Sequence, residues 1–351
     1  MILIATKTFS TDSLLEKKAE LIADDVLFIP KDLHVPYVFG RSTAGPSSGS
    51  LSVAFAFFGK RIKMNVSRKK EQQFHLVKNK TTFSIFKEGK PFLDSIEFLP
   101  IRFHAPEQIF LNIDDRCIYN CVFCTVPREN ILSQVDNKDF ERIIRKALDS
   151  YNYSGVALTS GIYPNTKQLL KKICNLTHTI KLDFPKIPIG VEIYISSKDD
   201  LLLLRDAGVN EIKINLQIPD KQLFQLLCPD LDYDHLNTML AEAVTIFGAG
   251  KVTSNLLYGF GEEDSTIKET MEHLLKKGVI PNLRKVRINE YNKVRIEKVL
   301  SSEIPHTSVS RIINLAEAQK HLLHKYHLTT QSFSTMCFQC GCCDLIPFVD
   351  L

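Results

Sequence analysis

Three cysteines, Cys117, Cys121 and Cys124, stand at CxxxCxxC spacing within Cys117-Ile-Tyr-Asn-Cys121-Val-Phe-Cys124. Three thiolates this close can hold three irons of a 4Fe–4S cube and leave the fourth iron open to a small chelating ligand. A zinc knuckle is the competing reading. It usually draws four closed ligands from a pair of CxxC units, so here one ligand would have to come from a distance. Phe123, next to the last cysteine, offers a planar ring to anything bound at the open iron. Near the other end lie Cys337, Cys340, Cys342 and Cys343, in Met336-Cys-Phe-Gln-Cys-Gly-Cys-Cys-Asp344. Four thiolates from so short a segment close poorly around one zinc, and the adjacent pair favours a second, auxiliary 4Fe–4S cluster held by three of the four. Which three is left open by the spacing. Cys174 and Cys228 stand alone in helical stretches and read as core residues.

Composition sets the bounds. The chain has 351 residues, with 24% charged and 44% hydrophobic, enough for a sizeable core. Lys and Arg number 44 against 40 acidic residues, too even to point to nucleic acid. No apolar run approaches the ~18 residues of a membrane span. The first residues lack the pattern of a signal peptide. Cysteines clustered for metal rather than spread as a disulfide framework suggest the reducing cytoplasm.

The elements that must position these cysteines follow from periodicity. Leu51–Phe58 and Arg61–Val66 read as strands about a tight turn, and Phe74–Val77, Thr82–Phe86 and Phe92–Phe98 as further strands of a small antiparallel sheet. Before them, Gly40-Arg-Ser-Thr-Ala-Gly-Pro-Ser-Ser-Gly49 is a Gly, Pro and Ser-rich loop, either a plain connection or a lid over the site. Arg41, Ser42, Ser47 and Ser48 are its candidates, with a Ser42 hydroxyl as a ligand to a cluster. Lys60, Arg61, Lys63, Arg68, Lys69 and Lys70 form a basic cluster, a solvated face or a docking patch for an acidic partner.

From about residue 106 strand and helix alternate. Strands are predicted at Ile109–Ile113, Val156–Thr159, Gly190–Ile195, Glu211–Leu216, Lys251–Tyr258 and Arg284–Ile288, with helices between them. Six such units predict an α/β fold, a partial (β/α)6 TIM-like barrel. It has a β-rich extension over 1–105, the barrel over 106–300, and a helix (Ser308–His327) with the cysteine-rich tail over 301–351. The cysteine loop then leaves the carboxyl end of the first strand, where barrels carry their chemistry.

Polar and small residues recur at the other strand ends: Thr159-Ser160-Gly161, Glu192, Asn215 with Gln217, and Gly259-Phe-Gly261-Glu262. With the cysteine motif, this series resembles the radical S-adenosylmethionine (SAM) superfamily. The resemblance implies a 4Fe–4S cluster on Cys117, Cys121 and Cys124, and S-adenosylmethionine chelated to the open iron. It further implies Phe123 against the adenine, Thr159–Gly161 at the methionine amino group, and Glu192, Asn215 and Gln217 near the ribose or carboxylate. The Gly259 and Gly261 backbone would then recognise adenine. From Ile214 to Glu263 the chain is similar to the biotin and lipoyl synthase branch. The tail cysteines are most like those of two-component lipoyl synthases, and the triad that bacterial lipoyl synthases carry before the radical motif is missing.

That likeness implies a sulfurtransferase that adds sulfur to an octanoyl chain on a lipoyl-carrier protein. A second radical SAM subunit and a ferredoxin or flavodoxin electron donor would be its partners. A radical SAM methyltransferase, or a mutase such as methylornithine synthase, acting on a small metabolite is the alternative enzyme. A zinc-binding interaction protein is the alternative of another class.

Overall fold

The chain folds around two β-sheets joined by its own two ends. The computed structural model describes residues 11–36, 40–41, 45, 50–126 and 137–351. In the N-terminal part, α1 (Thr11–Asp24) precedes β1 (Val26–Phe28), β2 (Gly40–Arg41), β3 (Leu51–Phe57), β4 (Lys60–Ser67), β5 (Phe74–Asn79), β6 (Thr82–Lys87) and β7 (Lys90–Leu99). The strand order is β2-β3-β4-β1-β5-β6-β7, and β7 pairs back onto β3, so the sheet closes on itself. Closure removes the free edges of a small sheet.

The hairpins match the sequence prediction, and their turns explain why. Phe58-Gly59 and Glu88-Gly89 all have positive φ, the left-handed pair that suits the twist of a two-residue hairpin. The sheet is not simply antiparallel, however. The short strand β1 inserts parallel to both β4 and β5. Three residues after a helix leave too little periodicity to announce a strand.

The second sheet contains β8 (Gln108–Asn112), β9 (Gly155–Thr159), β10 (Ile189–Glu192), β11 (Glu211–Lys213), β12 (Val252–Tyr258) and β13 (Val279–Lys285). All pairings are parallel, in the order β13-β12-β11-β10-β9-β8. It is an α/β partial barrel. Its intervening helices are α2 (Asn137–Ser150), α3 (Thr166–Asp183), α4 (Lys198–Asp206), α5 (Lys221–Leu227), α6 (Tyr233–Phe247) and α7 (Asp264–Lys276). Asn165, Ser197, Asp220 and Asp232 cap four of them with side-chain acceptors, which fixes where each helix begins. The last strand starts five residues before the predicted Arg284. It includes Pro281, a residue a sheet tolerates at an edge, and β13 is an edge.

After β13 come α8 (Lys293–Leu300), α9 (Val309–Lys325) and the short α10 (Met336–Cys340). Helix α9 buries Ile312, Leu315, Ala316, Gln319 and Leu323 against α7, α1 and β13. The tail then crosses beneath the barrel at the amino ends of its strands. Glu211, the first residue of β11, accepts from the Ser334 and Thr335 amides (2.8 and 3.0 Å) and the Thr335 hydroxyl (2.6 Å). Gln108, the first residue of β8, exchanges two hydrogen bonds with the Met336 backbone. At the other edge Arg284 of β13 binds Asp344 at 2.8 Å. The tail thus ties together the two edges that an incomplete barrel leaves open. Among the described residues no helix is long and apolar enough to cross a membrane.

Candidate active site

The cysteine loop leaves β8 at the carboxyl end, and backbone bonds fix its course. Ile113 N–H donates to the Thr159 carbonyl, Gly161 N–H to Asp114, and Ile118 N–H to Ile162. Loop and β9 end are pressed together: a Cβ on Gly161 would lie 2.1 Å from the Arg116 carbonyl oxygen. Further along, Val122 N–H donates to Leu227, at the end of α5. Asn292 donates to the Phe123 carbonyl at 3.0 Å, and Arg295 to the carbonyls of Cys121 and Cys124. Neither of these residues was expected. Arg295 belongs to α8 and Asn292 is its N-cap residue, and the Ile296, Val299 and Leu300 spacing of that helix was the available signal.

Cys117, Cys121 and Cys124 are all half-buried and border one cavity of about 200 Å3. The Ile162 amide points at the Cys117 sulfur at 3.5 Å, and burial pushes the Cys117 thiol up. Among the described residues no three His, Cys, Asp or Glu side chains stand close enough to hold a single metal ion. A cube spreads its thiolates wider than one ion does. A soft donor set, an amide aimed at sulfur and a wall with no room for a side chain fit the iron–sulfur cluster expected at the motif.

The same cavity is lined by Phe123, Thr159, Ser160, Gly161, Glu192, Asn215 and Gln217. Glu192 accepts from Asn215 Nδ2 at 2.7 Å and Lys213 Nζ at 3.4 Å, and Asn255 N–H donates to Asn215 Oδ1 at 3.1 Å. These bonds hold the polar wall rigid across three strands. Ile193, Ile214, Leu236 and Leu257 supply an apolar wall.

Gly259 and Gly261 are not among the lining residues. Their turn is spent locally: the Gly259 and Phe260 amides donate to the Glu262 carboxylate at 2.7 and 2.9 Å, and Arg311 of α9 pairs with Glu262 at 2.9 Å. Positive φ at both glycines makes that carboxylate-closed turn possible. Only the neighbouring Phe260 approaches the site, its ring 6.2 Å from that of Phe123.

The loop at 40–49 reaches the cavity at Gly45, whose carbonyl accepts from Thr125 Oγ1 at 3.1 Å. Ser42, Ser47 and Ser48 lie outside the described residues, as does the Arg41 side chain. The basic cluster divides between residues engaged within the fold and an exposed remainder. Lys60 binds the Asp350 backbone, Arg61 binds Glu107, Lys63 is buried, and Arg68 binds the Ile29 and Pro30 carbonyls. Arg68, Lys69 and Lys70 remain exposed.

The tail divides its cysteines. Cys337 borders the barrel cavity, with Lys213 Nζ at 3.1 Å and Arg284 at 3.4 Å from its sulfur. Burial opposes the charge on Lys213, and Cys337 with Glu192 outweighs it. Cys343 instead borders a second, small cavity with Ile62, Lys63 and Arg287. Cys174 is half-buried on α3, its thiol pushed up to about 11 by burial. Cys228 is fully buried in the core, as the sequence reading has it, and burial with the neighbouring Cys121 pushes its thiol up.

Residues 111–274 match the family model described as the radical SAM superfamily. A search of curated protein sequences found no match. Among solved structures, the chain is similar to HydG, a maturase of the FeFe-hydrogenase, at 18% identity and a TM-score of 0.51, covering 65% of this chain and 52% of that one. It is also similar to methylornithine synthase (PylB), at 15% identity and a TM-score of 0.50, covering 60% of this chain and 62% of that one. The chain therefore spans about half to three fifths of those structures. At these identities they attest a shared fold, and the match reaches the superfamily without extending to the biotin and lipoyl synthase branch.

Proposed function

We propose that the chain, whose residues 111–274 match the radical SAM superfamily model, is a radical SAM enzyme that inserts sulfur at an unactivated aliphatic carbon. The observation that carries this reading is that Cys337 and the motif cysteines border one cavity. A substrate in that cavity would lie between the radical-generating site above and the cysteine-rich tail below. When bound, the motif cluster with S-adenosylmethionine supplies the electron and the carbon-centred radical that removes hydrogen from such a carbon.

The chain's own residues perform the rest. Cys117, Cys121 and Cys124 would hold the iron, and the Ile162 amide stabilises negative charge on sulfur. Phe123, the Thr159–Gly161 backbone and the Glu192–Asn215 pair orient the cofactor. Ile193, Ile214, Leu236 and Leu257 take an aliphatic chain and keep water from it, which protects a radical and places the reacting carbon. The tail cysteines would carry the sulfur source, an auxiliary iron–sulfur cluster. An octanoyl chain on a lipoyl-carrier protein is the substrate class to try first, with a second radical SAM subunit and a ferredoxin or flavodoxin donor.

The test is anaerobic turnover of the reconstituted chain with octanoylated carrier, with and without a partner subunit, followed by mass spectrometry. Deoxyadenosine and a sulfur-bearing acyl product are expected, with the product absent when the tail cysteines are replaced. Deoxyadenosine release without a sulfur product in either arrangement sinks the sulfur reading. Should a small metabolite be rearranged or methylated instead, the mutase or methyltransferase reading replaces it.

A further inference from the structure

We propose that the tail end of the barrel cavity, at His104 and Arg284, seats a carboxylate of the substrate. The inference rests on the reading above that this cavity takes an aliphatic substrate, and it narrows that substrate to one with a free acid group.

His104 and Arg284 line the cavity beside Phe110 and Cys337, and each keeps a donor in reserve. The Lys63 ammonium, which can only donate, lies 3.5 Å from His104 Nδ1, so that ring nitrogen accepts. Burial, with Lys63, Arg284, Arg287 and Lys213 around it, pushes the imidazole well below its ordinary range. The ring is therefore neutral and carries its one hydrogen on Nε2, which has no acceptor among the described residues. Arg284 gives Nε and Nη2 to Asp344 at 3.2 and 2.8 Å, and Nη2 also faces the Cys337 sulfur. Its Nη1 has no acceptor among the described residues. An imidazole N–H and a guanidinium N–H in one wall suit a carboxylate, which only accepts.

The charge balance is a second, independent observation. Lys213 pairs with Glu192 at 3.4 Å, Arg284 with Asp344 at 2.8 Å, and Lys285 and Arg287 share Asp25 at 3.6 and 3.8 Å. Lys63, 1% exposed, donates to the His104 carbonyl and has no carboxylate partner among the described residues. Five cations thus stand against three carboxylates. Buried positive charge without a counter-charge is strongly unfavourable. An incoming carboxylate offsets it, and an uncharged group of the same shape does not. Ile193, Ile214, Leu236 and Leu257 border the same cavity and take the aliphatic part.

Octanoate and octanamide differ in charge and hardly in shape. Each is titrated calorimetrically into the anaerobically reconstituted chain saturated with S-adenosylmethionine, so that the cofactor's own carboxylate is already bound. Octanoate is expected to bind roughly tenfold or more tightly, the size of one hydrogen bond between charged groups. Arg284→Met should cut that preference to about threefold or less. His104→Phe, which keeps a ring against Phe110, should reduce it in the same direction. Octanamide should bind both variants as it binds the unchanged chain, which reports that the cavity is still formed.

Equal affinity for acid and amide in the unchanged chain overturns the proposal, as does a preference that survives both substitutions. A preference seen in the metal-free chain and lost on reconstitution also overturns it, because the cations then serve iron and sulfide at the tail. A sulfur product from the carrier-bound octanoyl group, an uncharged amide, without any preference for octanoate removes the carboxylate subsite and keeps the sulfur reading. A preference for octanoate with no sulfur product from either form keeps the subsite and removes the sulfur reading.

Discussion

Gly161 measures how tightly the candidate site is built. Its missing side chain lets the end of β9 lie directly against the cysteine loop, with the Arg116 carbonyl in the space a Cβ would need. Gly161→Ala must push the two segments apart. Overpacking of this kind costs about 1–3 kcal/mol. Because the strain falls on the loop that presents Cys117, the iron content should drop by at least half while the circular dichroism spectrum stays native. Full iron occupancy in that variant would mean that the loop is free to move. At this scale the sequence was informative where chemistry is local. Cys117, Cys121 and Cys124 are recognisable by spacing alone, and Phe123, Thr159, Ser160, Gly161, Glu192, Asn215 and Gln217 do face one cavity. It was silent where a partner comes from far along the chain. Arg311, on α9, holds the Glu262 carboxylate that closes the Gly259–Gly261 turn. Cys228 reads as core and is fully buried, and the folding of α5 against Val122 sets it beside Cys121.

Elements were legible to the extent that their periodicity was long. The parallel strands from β8 to β12 and the hairpins from β3 to β7 follow from runs of apolar residues bounded by turns. Helix α8 and strand β1 are short, and what stabilises them is tertiary contact rather than their own pattern. The tail shows the same limit, since nothing in its composition says that residues 332–337 underlie the barrel. Its position depends on Glu211, which accepts the Ser334 and Thr335 donors while paired with Lys251 at 3.2 Å. Glu211→Gln keeps the shape but gives one of those donors an amide nitrogen to face. Hydrogen bonds to a buried charge contribute about 1.5–3 kcal/mol each, so a loss of about 2 kcal/mol or more is expected. The loss should be local. Limited proteolysis is expected to cut near residues 330–336 several-fold faster than in wild type, and iron should leave the tail while the motif site stays loaded. Uniform acceleration of cleavage along the whole chain would show that Glu211 supports the barrel rather than the tail.

At the scale of the molecule, the first helix and the last residues close on each other around the tail cysteines. Lys18 of α1 pairs with Asp350 at 2.6 Å, both side chains 1% exposed, and it also holds the Gly341 carbonyl. Asp350 accepts from the Ile346 amide at 2.8 Å, and Lys60 of β4 lies 3.8 Å from its other oxygen. The closed N-terminal sheet therefore grips the segment that follows α10 and brings Lys63 to it. An ion pair at this depth gives position more surely than it gives net stability, because desolvation offsets much of its attraction. Removing one partner is a different matter. Lys18→Met strands a buried carboxylate and should destabilise the chain by about 3 kcal/mol, the low end for broken buried pairs, since Lys60 is near enough to compensate in part. Chemical denaturation of the anaerobic protein measures the loss. Hydrogen exchange should show it concentrated at residues 341–350 and in α1. The double variant Lys18→Met, Asp350→Leu, which leaves no charge unpaired, should recover most of the stability, yet its tail cysteines should take up iron less completely because the lysine that fixes Gly341 is gone. Equal destabilisation in the single and double variants would show that packing of α1, not the ion pair, holds the tail against the N-terminal sheet.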